Sequence, residues 1–153
     1  MPNKLAAAVI GPAGSGNEVL RFLGEAAYLW SYRGQSDKAA AIFQALVALA
    51  PNDPVGHLGL AEVYLTQQKF REAEREAETA TRSSTADRRT TAFAYKLRGR
   101  ALMQLNRLKD AEKALLRAVE IDTGGAEGKS AQEILEAARR MGILPPGASP
   151  PVP

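Results

Sequence analysis

"LRFLGEAAYLWSYRGQSDKAAAIFQALVALAPND", Leu20 to Asp53, is 34 residues long, and its pattern returns twice. "PVGHLGLAEVYLTQQKFREAEREAETATRSSTAD", Pro54 to Asp87, follows directly, and "AFAYKLRGRALMQLNRLKDAEKALLRAVEIDTGG", Ala92 to Gly125, comes after four further residues, "RRTT". Self-similarity at a near-constant period of this length points to stacked supersecondary units. The shared positions have a packing logic. Ala27, Ala61 and Gly99 are small where a first helix must let its neighbour approach closely, and Trp30, Tyr64 and Leu102 supply bulk three residues on. Turn segments "RGQS", "QQKF" and "LNRL" follow, in which Gly34 or Asn106 can adopt the left-handed conformation that ends helices. Ala39, Ala73 and Ala111 then open the packed face of a second helix, with Phe43, Ala77 and Leu115 one turn later. Pro51 closes the first unit, because proline cannot continue a helix.

These segments resemble tetratricopeptide repeats, helix–turn–helix units of 34 residues, over about Leu20 to Gly125. The resemblance implies an all-α solenoid of three repeats, about 20–53, 54–87 and 92–125. Ala77 stands where bulk is usual, and Thr85 and Thr123 where proline is usual. After the third repeat, "KSAQEILEAARRMG" spaces Ile134, Leu135, Ala138 and Met141 as one face of a capping helix, expected over about 129–141. The repeat domain is therefore expected over 18–141. Residues 1–17 are expected to form a flexible arm, and 142–153, "GILPPGASPPVP", a disordered proline-rich tail.

Composition agrees with helix: alanine and leucine dominate and β-branched residues are sparse. The chain has no cysteine, which excludes disulfides, thiolate metal sites and cysteine nucleophiles and fits a reducing compartment. "LAAAVI" after Lys4 is too short for an export signal and no stretch is long enough to span a membrane, so the expected location is the cytoplasm. Residues 1–81 carry 7 basic and 9 acidic side chains, residues 82–153 carry 13 and 8. The basic residues of the second half mingle with acids at helical spacing, as in "LKDAEKALLRAVE", so a solvated face is expected rather than a nucleic-acid site.

Catalytic and cofactor chemistry finds no residues to carry it. Gly11 and Gly16 have the spacing of a phosphate loop, but Asn17 and Glu18 stand where lysine and a hydroxyl would be needed. His57 is the only histidine and is read as a packing or groove residue. Glu72, Glu74, Glu76 and Glu78 are read as a solvated face with intrahelical ion pairs. No catalytic residue, metal ligand or cofactor is expected, and the chain is not expected to be an enzyme.

The family resemblance implies a concave groove lined by the first helix of each unit. Its positions fall on Arg21, Tyr28 and Ser31, then Val55, Leu58, Glu62 and Leu65, then Phe93, Lys96, Arg100 and Met103. This surface is apolar and turns basic towards the third repeat, which suits a protein or peptide client with apolar anchors and some acidic character. Repeat proteins that serve cytosolic heat-shock chaperones clamp a carboxylate with lysine and asparagine. The corresponding places here read as Gly24 and Tyr28, with Phe93 and Leu97 in the third repeat, so that partner is not expected. A narrower likeness lies in "AAYLWSYRGQSDKAAAIFQALVALAPND" followed by "HLGLAEVYLTQQKFREA", which resembles the small chaperones of bacterial type III secretion systems. That resemblance implies an ATP-independent cytoplasmic chaperone holding an export substrate or apparatus subunit, with pairing into a homodimer left open. A scaffold or adaptor in a multiprotein assembly, envelope or motility related, is the alternative.

Overall fold

Seven helices build residues 15–147, the span that this computed structural model describes. They are α1 (Ser15–Tyr32), α2 (Ser36–Leu49), α3 (Pro54–Thr66), α4 (Phe70–Thr81), α5 (Arg88–Gln104), α6 (Leu108–Ile121) and α7 (Ala126–Arg140). Each helix packs on the next in the chain. Beyond that, α1 touches α3, α3 touches α5 and α5 touches α7, whereas α2, α4 and α6 do not touch one another. One row of helices is therefore drawn together while the other splays, and the stack curves with α1, α3, α5 and α7 on its inner side. The fold is an all-α repeat solenoid.

The repeat register appears residue by residue in the packing. Ala27, Ala61, Ala39, Ala73, Ala111, Phe43, Ala77 and Leu115 are all fully buried. At Gly99 a Cβ would come within 2.6 Å of Leu115 Cγ, so the third unit needs glycine where the others have alanine. Ala77 lacks bulk because its surroundings supply little room: it packs with Leu58, Ala61, Ala80, Ala94 and Leu97, where small residues bring helices together.

The three turns inside the repeats are one motif. Gln35 N, Lys69 N and Arg107 N donate to the carbonyls of Trp30, Tyr64 and Leu102 at 2.8–2.9 Å, spanning five residues each. The residues before those donors, Gly34, Gln68 and Asn106, have φ of 75°, 60° and 58°. Only Gln68 is ill suited to that conformation, since its Cβ crowds the carbonyl as a glycine would not. Gln68→Gly should raise stability by about 0.5–1 kcal/mol, read as a higher midpoint in urea unfolding with unchanged slope.

The ends differ from expectation. Of the expected arm, residues 1–14 lie outside the described residues and 15–17 already belong to α1. At the other end α7 begins at Ala126, earlier than the periodicity suggests, because Asp122 caps it: Oδ2 accepts from Glu127 N and Gly128 N at 3.0 and 3.2 Å. Met141, expected on the packed face, is 73% exposed, and Leu144 from the expected tail fills that place at 3%. The chain reverses there, with Ile143 N and Leu144 N both donating to Ala138 O.

Candidate functional site: a two-part groove

The inner helices enclose two adjoining clefts separated by Tyr28 and Val55, which line both. The first lies between α1, α2 and α3, holds about 290 Å³, and is walled by Leu20, Gly24, Leu46, Val55 and Gly56. Gly24 opens this apolar space, since a Cβ there would stand 3.2 Å from Val55 Cγ1 and narrow it, while Gly56 lets α3 approach Val47 of α2. Arg21, Glu25 and Asp53 form its polar rim. Asp53 also caps α3, accepting from Val55 N at 2.9 Å, with Pro54 at the first helical position.

The second cleft runs from α3 to α7 and mixes apolar with charged side chains. Leu58, Glu62, Arg89, Phe93 and Glu127 line it, with Asp87 at its edge. Asp87 caps α5 through Thr90 N at 2.7 Å, a bond that holds its carboxyl below the ordinary value. Lys96 donates to Glu127 at 2.5 Å and stands 4.9 Å from the centroid of the Phe93 ring. Arg89 approaches the other oxygen of Glu127 at 3.5 Å.

Tyr28 joins the two parts. Its ring packs edge-on against Phe43 with centroids 5.0 Å apart, and its hydroxyl stands near Glu62. Burial pushes that hydroxyl well above the ordinary tyrosine range, with the Glu62 charge adding. Burial also raises the Glu62 carboxyl, as does the Glu127 charge, while the Tyr28 hydroxyl and the cations Arg100 and Lys96 pull it back. A carboxyl raised on folding contributes stability in full below its unfolded pKa and loses it as pH rises through the folded one. Glu62→Gln cannot ionise, so it should melt higher than the parent by roughly 1–3 °C at about pH 7 and no higher at about pH 3. Parallel thermal melts at the two pH values check this.

The expected groove residues divide. Arg21, Tyr28, Val55, Glu62 and Phe93 line the clefts. Leu58 reaches the second cleft but is 4% exposed and belongs to the core between α3, α4 and α5. Lys96 is tied to Glu127, and Arg100 is exposed with Glu62 as its electrostatic neighbour. Ser31, Leu65 and Met103 line neither cleft. They sit in the last turns of their helices, where their carbonyls accept from the left-handed residues, and Leu65 and Met103 pack on core clusters.

Three expectations need correction. The groove is not basic at its far end, because Glu127, absent from the expected set, pairs with both Lys96 and Arg89, and Glu62 and Asp87 offset the remaining positive charge. Leu97, read as a groove position in the carboxylate-clamp comparison, is fully buried, and the cations that α5 brings near Glu62 are Lys96 and Arg100. The glutamates of α4 are not one solvated face. Steps of two residues turn a helix by about 200°, so they alternate between two seams. Glu76 receives His57 Nδ1 at 2.7 Å, while His57 Nε2 reaches Pro51 O at 3.0 Å, so the histidine fastens α3 to α4. Glu74 and Glu78 face Arg98 of α5.

Among the described residues no three His, Cys, Asp or Glu side chains are grouped to hold a metal ion. No helix among them is long and apolar enough to cross a membrane.

A curved stack of helix pairs with a continuous inner groove is a helical-repeat module of the protein-binding kind. Tetratricopeptide-repeat family models match residues 32–90 and 94–123. The chain is a tetratricopeptide-repeat protein. No curated protein matches its sequence significantly. Among solved structures it resembles the Yersinia enterocolitica type III secretion translocator chaperone SycD at 22% identity and TM-score 0.71, over 83% of this chain and 96% of that one. A second SycD structure, in complex with a peptide of the translocator YopD, aligns at 22% identity and TM-score 0.68, over 82% and 95%. The first tetratricopeptide domain of Spaghetti (RPAP3), bound to the HSP90 peptide SRMEEVD, aligns at 25% identity and TM-score 0.65, over 77% and 91%.

Proposed function

We propose that this protein is a cytoplasmic chaperone of the type III secretion kind, which holds an apolar segment of an export substrate or apparatus subunit in its groove and performs no chemistry on it. The observation that carries this reading is the apolar cleft between α1 and α3, opening directly into the groove and walled by Leu20, Leu46 and Val55. The SycD likeness, which covers most of both chains, supports it. Co-expression with export substrates encoded beside its gene should keep one of them soluble. Val55→Asp places a charge in the wall at a position 38% exposed, so the fold should survive while client retention falls by about tenfold or more. Retention unchanged in that variant would remove the groove from the mechanism. Self-pairing belongs to the same reading, and α1, which exposes Phe22 and Leu29, is where light scattering of a Phe22→Glu variant should seek it.

A scaffold or adaptor role is the second reading, favoured by likeness to the RPAP3 domain and to the Sgt2 tetratricopeptide domain from Aspergillus fumigatus. Its partners would be folded proteins, and Val55→Asp would then dissolve a stable complex without changing any partner's solubility.

A further inference from the structure

The chain as a whole carries +3, but its groove does not. Four cations face it: Arg21, Arg89, Lys96 and Arg100. Five carboxylates face it: Glu25, Asp53, Glu62, Asp87 and Glu127. Three of the cations are also paired: Glu25 lies 3.8 Å from Arg21, and Glu127 holds Lys96 and Arg89, while Arg100 is exposed in the field of Glu62. An acidic segment entering the groove would have to displace an internal carboxylate from Arg21, Arg89 or Lys96 and then lie beside it. A basic side chain would meet Glu62 and Glu127, two half-buried carboxylates that repel each other across the second cleft.

We propose that the occupant of this groove is an apolar segment flanked by lysine or arginine, and that Glu62 and Glu127 exclude acidic segments. The apolar anchor takes the cleft between α1 and α3, and the basic flank lies over the second cleft. This inference rests on the groove being the client site. It sets this chain apart from the RPAP3 domain of similar fold, whose bound peptide SRMEEVD is acidic.

Two fluorescein-labelled, amidated peptides of one design, GLKALLKSLLKG and GLEALLESLLEG, test it by anisotropy on the full chain. The lysine peptide should bind about tenfold tighter or better, since like charges face each other in the alternative. That preference should fall below about threefold in Glu62→Gln/Glu127→Gln and shrink in about 0.5 M salt. Arg100→Gln, which leaves both carboxylates in place, should widen it, so the idea stays testable if the double variant fails to fold by circular dichroism. Equal or tighter binding of the glutamate peptide overturns the charge selection and leaves the groove reading standing. Binding of neither peptide overturns the groove reading and this inference with it.

Discussion

Gly59→Ala should destabilise the protein by about 3 kcal/mol, although alanine is the better helix former by about 1 kcal/mol in an exposed helix. Gly59 lies in the middle of α3, and a Cβ there would stand 2.1 Å from Cε1 and 2.3 Å from Cδ1 and Cζ of Phe43. Phe43 cannot yield, because it is fully buried among Ala27, Ala39, Leu46, Leu60 and Val63. Its ring also supports Tyr28 at the partition of the groove. For a domain of this size the loss corresponds to a melting point lower by roughly 6–12 °C. Phe43→Leu alone should cost about 1–2 kcal/mol, and combined with Gly59→Ala it should cost clearly less than the two effects added, because the smaller side chain vacates the clash. A Gly59→Ala protein as stable as its parent would mean that α2 and α3 do not interlock through this ring.

How far this interlock could be read beforehand follows from the kind of information each contact needs. Positions that every repeat shares were legible. Alanine at 39, 73 and 111, and the residues one turn later, must be buried in any stack with this period, and they are. The left-handed residues Gly34 and Asn106 announced their turns by type, whereas Gln68 holds the same conformation within the same turn bond without a residue type that signals it. Gly59 has no counterpart in the other units, since its neighbour Phe43 is the one aromatic ring among the buried residues of α2, α4 and α6. Glu127 was hidden for a different reason. It stands where Arg21, Val55 and Phe93 stand, one 34-residue step beyond Phe93, but a capping helix was expected there rather than a fourth inner helix. Continuing the register past the third repeat would have found it. Glutamate spacing in α4 was read along one helix, while its meaning lies between helices and depends on what α3 and α5 bring opposite.

That between-helix meaning is sharpest at Arg98, whose replacement by methionine should cost about 2 kcal/mol. Its Nε meets Glu74 at 3.0 Å and its Nη2 meets Glu78 at 3.5 Å, closing the seam between α4 and α5. Glu74 is the one buried charged residue among the described residues, at 8% exposure. Removing the guanidinium strands that carboxylate away from water, which in a fully buried pair costs about 3–5 kcal/mol. Arg98 keeps about a quarter of its side chain exposed, so water repays part of the loss and the lower figure is expected. The partner substitution decides the cause. Glu74→Leu added to Arg98→Met removes the stranded charge and should return the melting point to within about 1 kcal/mol of the parent, since an apolar pair can replace a buried ionic one. If the double variant is as unstable as Arg98→Met, lost packing of the arginine stem is responsible and the ion pair is not. The same seam sets the angle at which α5 carries Phe93, Lys96 and Arg100 towards the groove. Arg98→Met should therefore weaken the lysine peptide as well, and Glu74→Leu/Arg98→Met should restore stability first and binding only as far as the original angle is recovered.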